Sequence, residues 1–323
     1  MNSRPIGNHI LLILASVAFL SSFLACAGQS TVLETASTGA RAFDPATSDR
    51  PFFDLNHPPV IAEMGFQVEG ATLNAIIYEA QGAGPHPTVV LLHGFPGNER
   101  NLDLAQAIRR AGWNVVFFHY RGAWGSGGLF SFPHVLEDVA AVVAAISDPE
   151  FASRHRIDAD RIALVGHSMG GFAALISGAK IERVDCVVSI AGANLGGLAR
   201  LLQKDPEAAT GFAALIDGWS GPIDGPPGAM LIAEMTGQAD RFDTAAHVGE
   251  LAQKDLLLLA GRRDVVTPPT LHHAPLVEAL KTAGAESFDA VVFEEADHAF
   301  SGQRIALARR VTSWLGTGCA PAN

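Results

Sequence analysis

The sequence is poor in cysteine, with only three among 323 residues. A small domain held together by disulfides needs several cysteine pairs, so that class of protein is excluded. Cys186 lies in the apolar run VDCVVSIAG and is expected to be a small buried side chain, whereas Cys319 lies in a C-terminal tail with Gly and Pro. We therefore expect two free thiols, with pairing of these cysteines in an oxidising compartment as the alternative.

Charged residues are also scarce, at 17% of the chain, and acidic residues outnumber basic ones by 33 to 22. The formal net charge is −11, and Lys and Arg form no cluster. A nucleic-acid-binding surface needs concentrated positive charge, so nucleic acid is excluded as a partner. Hydrophobic residues make up 48% of the chain, enough for one large α/β domain or two small ones.

The apolar run at the N-terminus, residues 10–20, is too short for a comfortable membrane span. It follows Arg4 and precedes small residues, which is the pattern of a secretory signal peptide. The tripeptide ACA predicts cleavage after Ala27 and thus a signal peptide over residues 1–27. FLAC also resembles a bacterial lipobox, in which residues 1–25 are removed and Cys26 is lipidated. Both alternatives predict export across the inner membrane, to the periplasm or to a membrane-anchored lipoprotein.

Residues 28–58 have no sustained periodicity and predict a linker or N-terminal arm, followed by a domain over residues 59–317 and a tail over 318–323. A hairpin is predicted around Gly70, and six short apolar runs follow it. Because these runs do not alternate and are separated by amphipathic stretches, they predict strands buried on both faces of a mostly parallel sheet of eight strands. The runs are TVVLLHG, WNVVFFHY, RIALVGH, DCVVSIAG, DLLLLAG and DAVVFEEA, and the predicted helices include Leu102–Ala111, Val135–Ile146 and Leu271–Ala283.

One interval, from about residue 194 to residue 251, contains no strand-like run. Its helix-like pieces are separated by WSGPIDGPPG, and its apolar residues are too many for a solvated loop. This length predicts an insertion on the sheet scaffold, a small helical cap. The Gly and Pro residues in its middle predict an interruption at which two halves of the cap could move.

The pentapeptide GHSMG, centred on Ser168, follows a predicted strand and runs into the helix-like GGFAALISGA. In a strand–turn–helix setting, glycines two residues before and after a serine let the backbone approach closely and expose the hydroxyl. An ordinary tight turn would show the same five residues. A nucleophilic serine needs a base and an acid, so finding both elsewhere in the chain would favour a nucleophile over an ordinary turn.

Both partners occur further along the chain, each directly after a predicted strand. Asp264 follows DLLLLAG and His298 follows DAVVF, and the order Ser, Asp, His is the one expected for a serine nucleophile on this kind of sheet. Asp297 and Glu295 compete for the role of the acid, but Asp297 adjoins the histidine in a loop and neighbouring side chains rarely face each other. We therefore predict a triad of Ser168, His298 and Asp264.

An oxyanion needs fixed donors, and the loop HGFPGNERN after the strand TVVLL can turn sharply at Gly94. We predict that the N–H groups of Phe95 and Met169 form the oxyanion hole. Trp124 and Trp219 are candidates for lining the substrate pocket, although burial in packing would explain them equally well.

The motifs HGFPGNERN, HYRGAWGSGG, RIALVGHSMGG, GRRDVVTPP and DHAF together resemble those of the α/β-hydrolase superfamily, over roughly residues 60–316. The YRG and glycine-rich loop look like those of the prolyl-oligopeptidase-like and serine aminopeptidase-like hydrolases. Epoxide hydrolases and haloalkane dehalogenases share HGFP but carry Asp at the elbow, where this chain has Ser168. The resemblance implies an α/β-hydrolase fold, a twisted, mostly parallel sheet with helices on both faces, and reactions that include ester, thioester and peptide hydrolysis and acyl transfer.

The residues favour a serine hydrolase that cleaves carboxylic esters through an acyl-enzyme, with a small-molecule ester as substrate. Alternatives are a peptidase acting on short amides or peptides, an acyltransferase with the same acyl-enzyme, and a non-catalytic binding protein on this scaffold. No cofactor is expected. The pair His272 and His273 could suggest a metal site with His298, but adjacent residues on a helix face different ways, so no metal is predicted.

Overall fold

The computed structural model describes residues 43–219 and 221–319. The predicted signal peptide, the lipidation site at Cys26 and residues 28–42 of the predicted arm lie outside these ranges. The rest of the arm, residues 43–58, consists of turns and bends with no helix or strand. No helix within the described ranges is long and apolar enough to cross a membrane.

Eight strands form one sheet in the order β1-β2-β4-β3-β5-β6-β7-β8. β1 pairs antiparallel with β2, and β2 pairs antiparallel with β4, whereas every other neighbouring pair is parallel. The predicted mostly parallel sheet of eight strands is confirmed, and so is the hairpin around Gly70. The strands are β1 Val60–Val68, β2 Ala71–Glu79, β3 His86–Leu92, β4 Asn114–Phe118, β5 Ile157–His167, β6 Val184–Ile190, β7 Asp255–Gly261 and β8 Phe288–Phe293.

The inner strands are buried on both faces, which explains their unbroken apolar runs. In β3, Val90 and Leu92 face one hydrophobic core, and Val89 and Leu91 face the other. β1 lies at the edge of the sheet and alternates more exposed with less exposed residues along its length. Continuous apolar sequence thus marks the centre of this sheet and alternation marks its edge.

Helices cover both faces of the sheet. One core contains side chains of α2, α4 and α10, and the other contains those of α1 and α11. α2 begins at a Ser131 N-cap, whose side chain accepts the His134 N–H, with Pro133 in the first turn. The α-helices are α1 Leu102–Arg110, α2 Phe132–Ile146, α3 Pro149–Arg154, α4 Met169–Lys180, α5 Leu195–Lys204, α6 Pro206–Gly218, α7 Gly228–Gly237, α8 Val248–Leu251, α9 Pro269–His272, α10 Ala274–Thr282 and α11 Arg304–Thr317.

The helix predicted over Leu271–Ala283 is in fact two helices, α9 and α10, with a break at His273. Pro275 has no N–H to donate to the carbonyl four residues earlier, so the first helix cannot continue through it. This break sets the orientations of the two adjacent histidines independently.

Between β6 and β7 the described residues form helices α5, α6, α7 and α8 and a short 3₁₀ helix over Thr244–His247, as expected for a helical cap. The segment 222–224 between α6 and α7 is held by backbone hydrogen bonds, however. It pairs with the glycine-rich loop, since the Trp124 N–H donates to the Pro222 carbonyl at 2.8 Å and the Phe130 N–H to the Asp224 carbonyl at 2.8 Å. An isolated bridge joins Ala123 and Ile223 in the same place. The predicted interruption exists, but these backbone hydrogen bonds fix it to the loop.

Cys186 and Cys319 form a disulfide, with their Cα atoms 5.7 Å apart. The prediction of two free thiols is therefore wrong. Cys186 lies in β6 on the face that α11 covers, and Cys319 follows the end of α11. Packing of the last helix on the sheet brings the two together across 133 residues, a proximity that sequence alone could not show.

Candidate active site

Ser168 lies in the turn between β5 and α4, with φ 59° and ψ −119°. Such a backbone conformation is rare for a residue with a side chain and persists only where surrounding structure imposes it. The Ser168 N–H donates to the Ile190 carbonyl at 3.0 Å, and the Ser168 carbonyl accepts from the Ala193 N–H at 3.0 Å. The turn is thus tied to the end of β6.

Two glycines make this turn possible. A Cβ atom on Gly166 would overlap the carbonyl of Gly170, and one on Gly170 would overlap the carbonyl of Leu92. The spacing of glycines in GHSMG is therefore a steric requirement of the close approach between β3, β5 and α4. Of the three residues between these glycines, Ser168 and Met169 line the cavity.

The loops after β7 and β8 bring Asp264 and His298 into contact. His298 Nδ1 lies 2.8 Å from Asp264 Oδ2, and the aspartate side chain is almost entirely buried. The other carboxylate oxygen, Oδ1, accepts the N–H groups of Val266 and Thr267, each at 2.8 Å. Within the described residues, the ring of His298 makes its hydrogen bonds through Nδ1, which leaves Nε2 without a hydrogen-bond partner there.

The carboxyl of Asp264 stays ionised in this environment. Burial by itself would raise its pKa, but the hydrogen bonds from His298 and Thr267 outweigh burial and lower the pKa to about 2. An ionised aspartate accepts a hydrogen bond from an Nδ1–H group. It therefore selects the histidine tautomer that has a free lone pair on Nε2. This is the form of histidine that can take a proton from a hydroxyl.

The competing carboxylates are engaged elsewhere. Asp297 accepts the Ser301 N–H at 2.8 Å, and Glu295 forms an exposed ion pair with Arg263. Asp264 is the carboxylate that the fold brings to His298.

Two residues that the sequence analysis did not assign hold this pair in place. The Thr267 hydroxyl lies 2.7 Å from Asp264 Oδ2, 2.9 Å from the Ala191 carbonyl and 3.2 Å from His298 Nδ1. His167 Nε2 donates to the His298 carbonyl at 2.8 Å. Burial and the adjacent His298 lower the pKa of His167 to about 4, so its ring is neutral at neutral pH. The position of Thr267 three residues after Asp264 was a visible signal, since short polar residues at this spacing close loop turns.

The predicted oxyanion donors lie beside the serine. Met169 is the first residue of α4, where an N–H group has no acceptor within the helix. Phe95 and Met169 line the same cavity as Ser168. The Phe95 N–H donates no backbone hydrogen bond within the described residues. A Cβ on Gly94 would lie 2.9 Å from the Ser168 Cβ, so the glycine lets this loop approach the serine.

Buried histidines support the loop that carries Phe95. His93 Nδ1 donates to the Gly94 carbonyl at 2.7 Å, and His119 Nδ1 lies 3.2 Å from His93 Nε2. Burial lowers the pKa of His93 to about 3 and that of His119 to about 4. Both rings are therefore neutral, and His93 Nε2 can accept a hydrogen bond from the Nδ1–H group of His119.

A cavity of about 460 Å³ opens at Ser168 between the sheet and the cap. Its lining is apolar except for Ser168, Thr267 and His272, and the apolar side chains come largely from α5, α6 and α7. Trp219 lies in this lining and packs against Phe95, with the ring centroids 5.5 Å apart.

Trp124 is not part of this lining. Its indole N–H donates to the Pro96 carbonyl at 2.8 Å, and the Arg100 guanidinium lies 4.0 Å from its ring centroid. The structure therefore brings Trp219 to the cavity and uses Trp124 to hold the loops beside it.

The model of the alpha/beta hydrolase family matches residues 89–310, which include the serine turn and both loops of the Asp264–His298 pair. The chain belongs to the alpha/beta hydrolase family. The resemblance predicted from its sequence motifs is thereby confirmed at the level of the family and its fold.

Two relatives of this alpha/beta hydrolase match only part of it. A 31.7 kDa Escherichia coli protein from the traX-finO intergenic region is 35% identical over 115 residues, 34% of this chain and 38% of its own length. The acylamino-acid-releasing enzyme 1 of Oryza sativa subsp. japonica is 30% identical over 130 residues, 37% of this chain and 16% of the rice protein. These matches span less than half the length of either relative.

Solved structures share the fold over most of the hydrolase. Est1E from Butyrivibrio proteoclasticus, solved with ferulic acid bound, superposes with a TM-score of 0.62 at 18% identity, covering 78% of this chain and 97% of Est1E. The Pyrococcus horikoshii acylaminoacyl peptidase superposes with a TM-score of 0.61 at 15% identity, covering 82% of this chain and 42% of the peptidase. The same fold thus occurs in a peptidase and in a protein solved with ferulic acid bound, so the fold alone does not select a substrate.

Proposed function

We propose that this chain is a serine hydrolase that cleaves carboxylic esters through an acyl-enzyme. The Ser168 oxygen attacks the ester carbonyl carbon while His298 Nε2 takes the hydroxyl proton and then gives it to the departing alcohol. Asp264 orients the imidazolium, and the N–H groups of Phe95 and Met169 bind the oxyanion. Water then attacks the acyl-enzyme by the same route. The observation that carries this proposal is the Asp264–His298 pair, which His167 ties to the strained turn at Ser168.

The cavity favours an ester over the amide of a free amino acid. No Asp, Glu, Lys or Arg occurs among the described residues that line it. The ammonium group of an aminopeptidase substrate would lose water there without gaining a charged partner, which is unfavourable. An apolar acyl group loses no such interaction, so we propose that the cavity receives the acyl group.

An N-acylated amide is the second candidate substrate. Its blocked amino group carries no charge, so it meets no penalty in the apolar cavity, and the rice relative is named for releasing acylated amino acids.

The proposal is tested with a chromogenic acetyl ester and stopped-flow kinetics. Wild type should release a burst of chromophore stoichiometric with enzyme, followed by steady turnover. Ser168→Ala should show no burst, and its kcat should be lower by at least about 10³-fold, because no acyl-enzyme forms without the serine hydroxyl. Ser301→Ala changes an exposed serine in the His298 loop and is the control, expected to behave as wild type. A burst retained in Ser168→Ala would refute the assignment.

We further propose that the chain is exported and remains at the cell envelope, attached through a lipidated Cys26. The signal-like N-terminus supports export, and so does the Cys186–Cys319 disulfide, since disulfides persist in oxidising compartments.

Labelled fatty acid fed to the native host should enter the wild-type protein and not Cys26→Ser. Wild type should also fractionate with membranes. Absence of label from wild type would contradict lipidation and favour cleavage after Ala27 with release of a soluble product.

A further inference from the structure

Among the described residues that line the cavity, His272 carries the one imidazole. It ends α9, and its side chain is buried. The other polar groups of the lining have assigned roles, since Ser168 is the proposed nucleophile and the Thr267 hydroxyl binds Asp264. His272 has no part in the proposed proton transfer. A polar side chain in an otherwise apolar lining is unfavourable unless it forms hydrogen bonds.

One hydrogen bond fixes the proton arrangement of this ring. The Asn194 N–H donates to His272 Nδ1 at 2.9 Å. Nδ1 therefore presents its lone pair to the backbone, and in the neutral ring the proton is on Nε2. Burial lowers the pKa of His272, which favours that neutral form.

The Nε2–H group has no acceptor within the described residues. Within the same ranges, His167 Nδ1 has no partner and is closed off from solvent, whereas His272 Nε2 has no partner but is accessible to solvent. The ring of a residue that lines the cavity thus keeps a donor that solvent can reach. Its anchor is close to the reaction centre, because Asn194 adjoins Ala193, whose N–H binds the Ser168 carbonyl at 3.0 Å.

The neighbouring His273 also has a pKa lowered by burial, but it differs in its contacts. It lies at the break between α9 and α10, is only partly buried and does not line the cavity. The chain therefore contains a control, a histidine one residue away that lacks the cavity contact.

We propose that His272 is a specificity residue whose Nε2–H donates a hydrogen bond to an oxygen atom within the acyl group of the substrate. The substrate class is then an ester whose acyl group is mostly apolar and carries one ether, carbonyl or similar acceptor oxygen. This inference rests on the proposed ester hydrolysis at Ser168 and adds to it the identity of the acyl group.

The experiment compares acyl chains of equal length that share one chromogenic leaving group. In each pair, one methylene is replaced by an ether oxygen, and the oxygen is moved one position at a time along the chain. The readout is the ratio of kcat/KM for the oxygenated ester to that for its all-carbon analogue. In wild type the ratio should peak at one or two positions, at about five- to tenfold, the range expected for one neutral hydrogen bond.

Two substitutions separate the donor from the anchor. His272→Asn places an amide oxygen near the position of Nδ1, so it can still accept the Asn194 N–H, but it has no group at the position of Nε2. His272→Gln places an amide N–H near the position of Nε2 and lacks the anchor. The peak in the ratio should vanish in His272→Asn, persist in part in His272→Gln, and remain at the wild-type value in His273→Asn.

A wild-type ratio that shows no peak, or a peak that survives in His272→Asn, would overturn the assignment of the donor. A purely structural role would reverse the order of the two variants, with the anchor-retaining His272→Asn closer to wild type. Failure of ester hydrolysis itself is seen separately, because wild type would then hydrolyse the simple acetyl ester no faster than Ser168→Ala.

Discussion

At the scale of single residues, the site depends on groups that act in pairs. His298 has a defined tautomer because Asp264 is ionised, and Asp264 is ionised because His298 and Thr267 bind it. His272 has a defined tautomer because the Asn194 backbone donates to it. In both cases the partner of one ring nitrogen determines what the other nitrogen can do.

The acid assignment is testable with two matched amide variants. Asp264→Asn should lower kcat by about 10³-fold or more, because a neutral amide no longer selects the tautomer that accepts the serine proton. Asp297→Asn should remain near wild type, since that carboxylate binds the Ser301 N–H and not the ring. Steady-state kinetics on one ester are sufficient. The opposite order of effects would transfer the role of the acid to Asp297.

At the scale of elements, the cap helices form one wall of the cavity, and the strand ends form the other. Trp219 follows the last residue of α6 and packs against Phe95 in the cavity lining. The proposed catalytic groups come from the loops of the sheet, whereas most of the apolar lining comes from the cap. We therefore expect reactivity and acyl preference to reside in different elements.

Trp219→Ala should shift the preference among acyl lengths by about tenfold or more and retain turnover of the acetyl ester. An added or removed methylene is worth about 1–3 kcal/mol in an apolar pocket, and loss of the indole enlarges the space for longer chains. Met230→Ala is the control, because Met230 is 61% exposed on α7 and lies outside the cavity lining. The readout is kcat/KM across straight-chain esters. An equal loss on every ester would mean that Trp219 supports packing alone.

The sequence predicted these elements well where local patterns decide them. The inner strands carry continuous apolar runs, and the Ser168 turn carries glycines whose spacing is a local steric requirement. The break between α9 and α10 was not predicted, although Pro275 is a local signal within the helical pattern. The Cys186–Cys319 contact and the hydrogen bond from Asn194 to His272 join residues far apart in the chain, so no local pattern contains them.

At the scale of the whole molecule, several histidines are buried in the neutral form. Burial lowers the pKa to about 3 for His93 and to about 4 for His119 and His167. In the unfolded chain each would titrate near about 6.5. Between these values the unfolded state binds more protons than the native state, so acid favours unfolding.

The free energy of unfolding should therefore be highest above about pH 6.5 and fall as the pH drops toward about 4. Each neutral buried histidine contributes a slope of about 1.4 kcal/mol per pH unit in that window. In urea titrations between neutrality and about pH 4.5, His119→Gln should have a slope smaller by about that amount. An unchanged slope in His119→Gln would show that this ring is not held neutral.

The pairing of residues 222–224 with the glycine-rich loop limits how this enzyme can be recombined with its relatives. The Asp224 N–H donates to the Gly122 carbonyl at 2.6 Å, and Gly122 has no room for a Cβ beside the Asp224 carbonyl. A cap transplanted alone would meet a foreign loop, leaving backbone groups on both sides without acceptors or donors. The cap and the loop over residues 121–130 therefore form one exchangeable module, and a chimera that moves both together preserves every hydrogen bond of this junction.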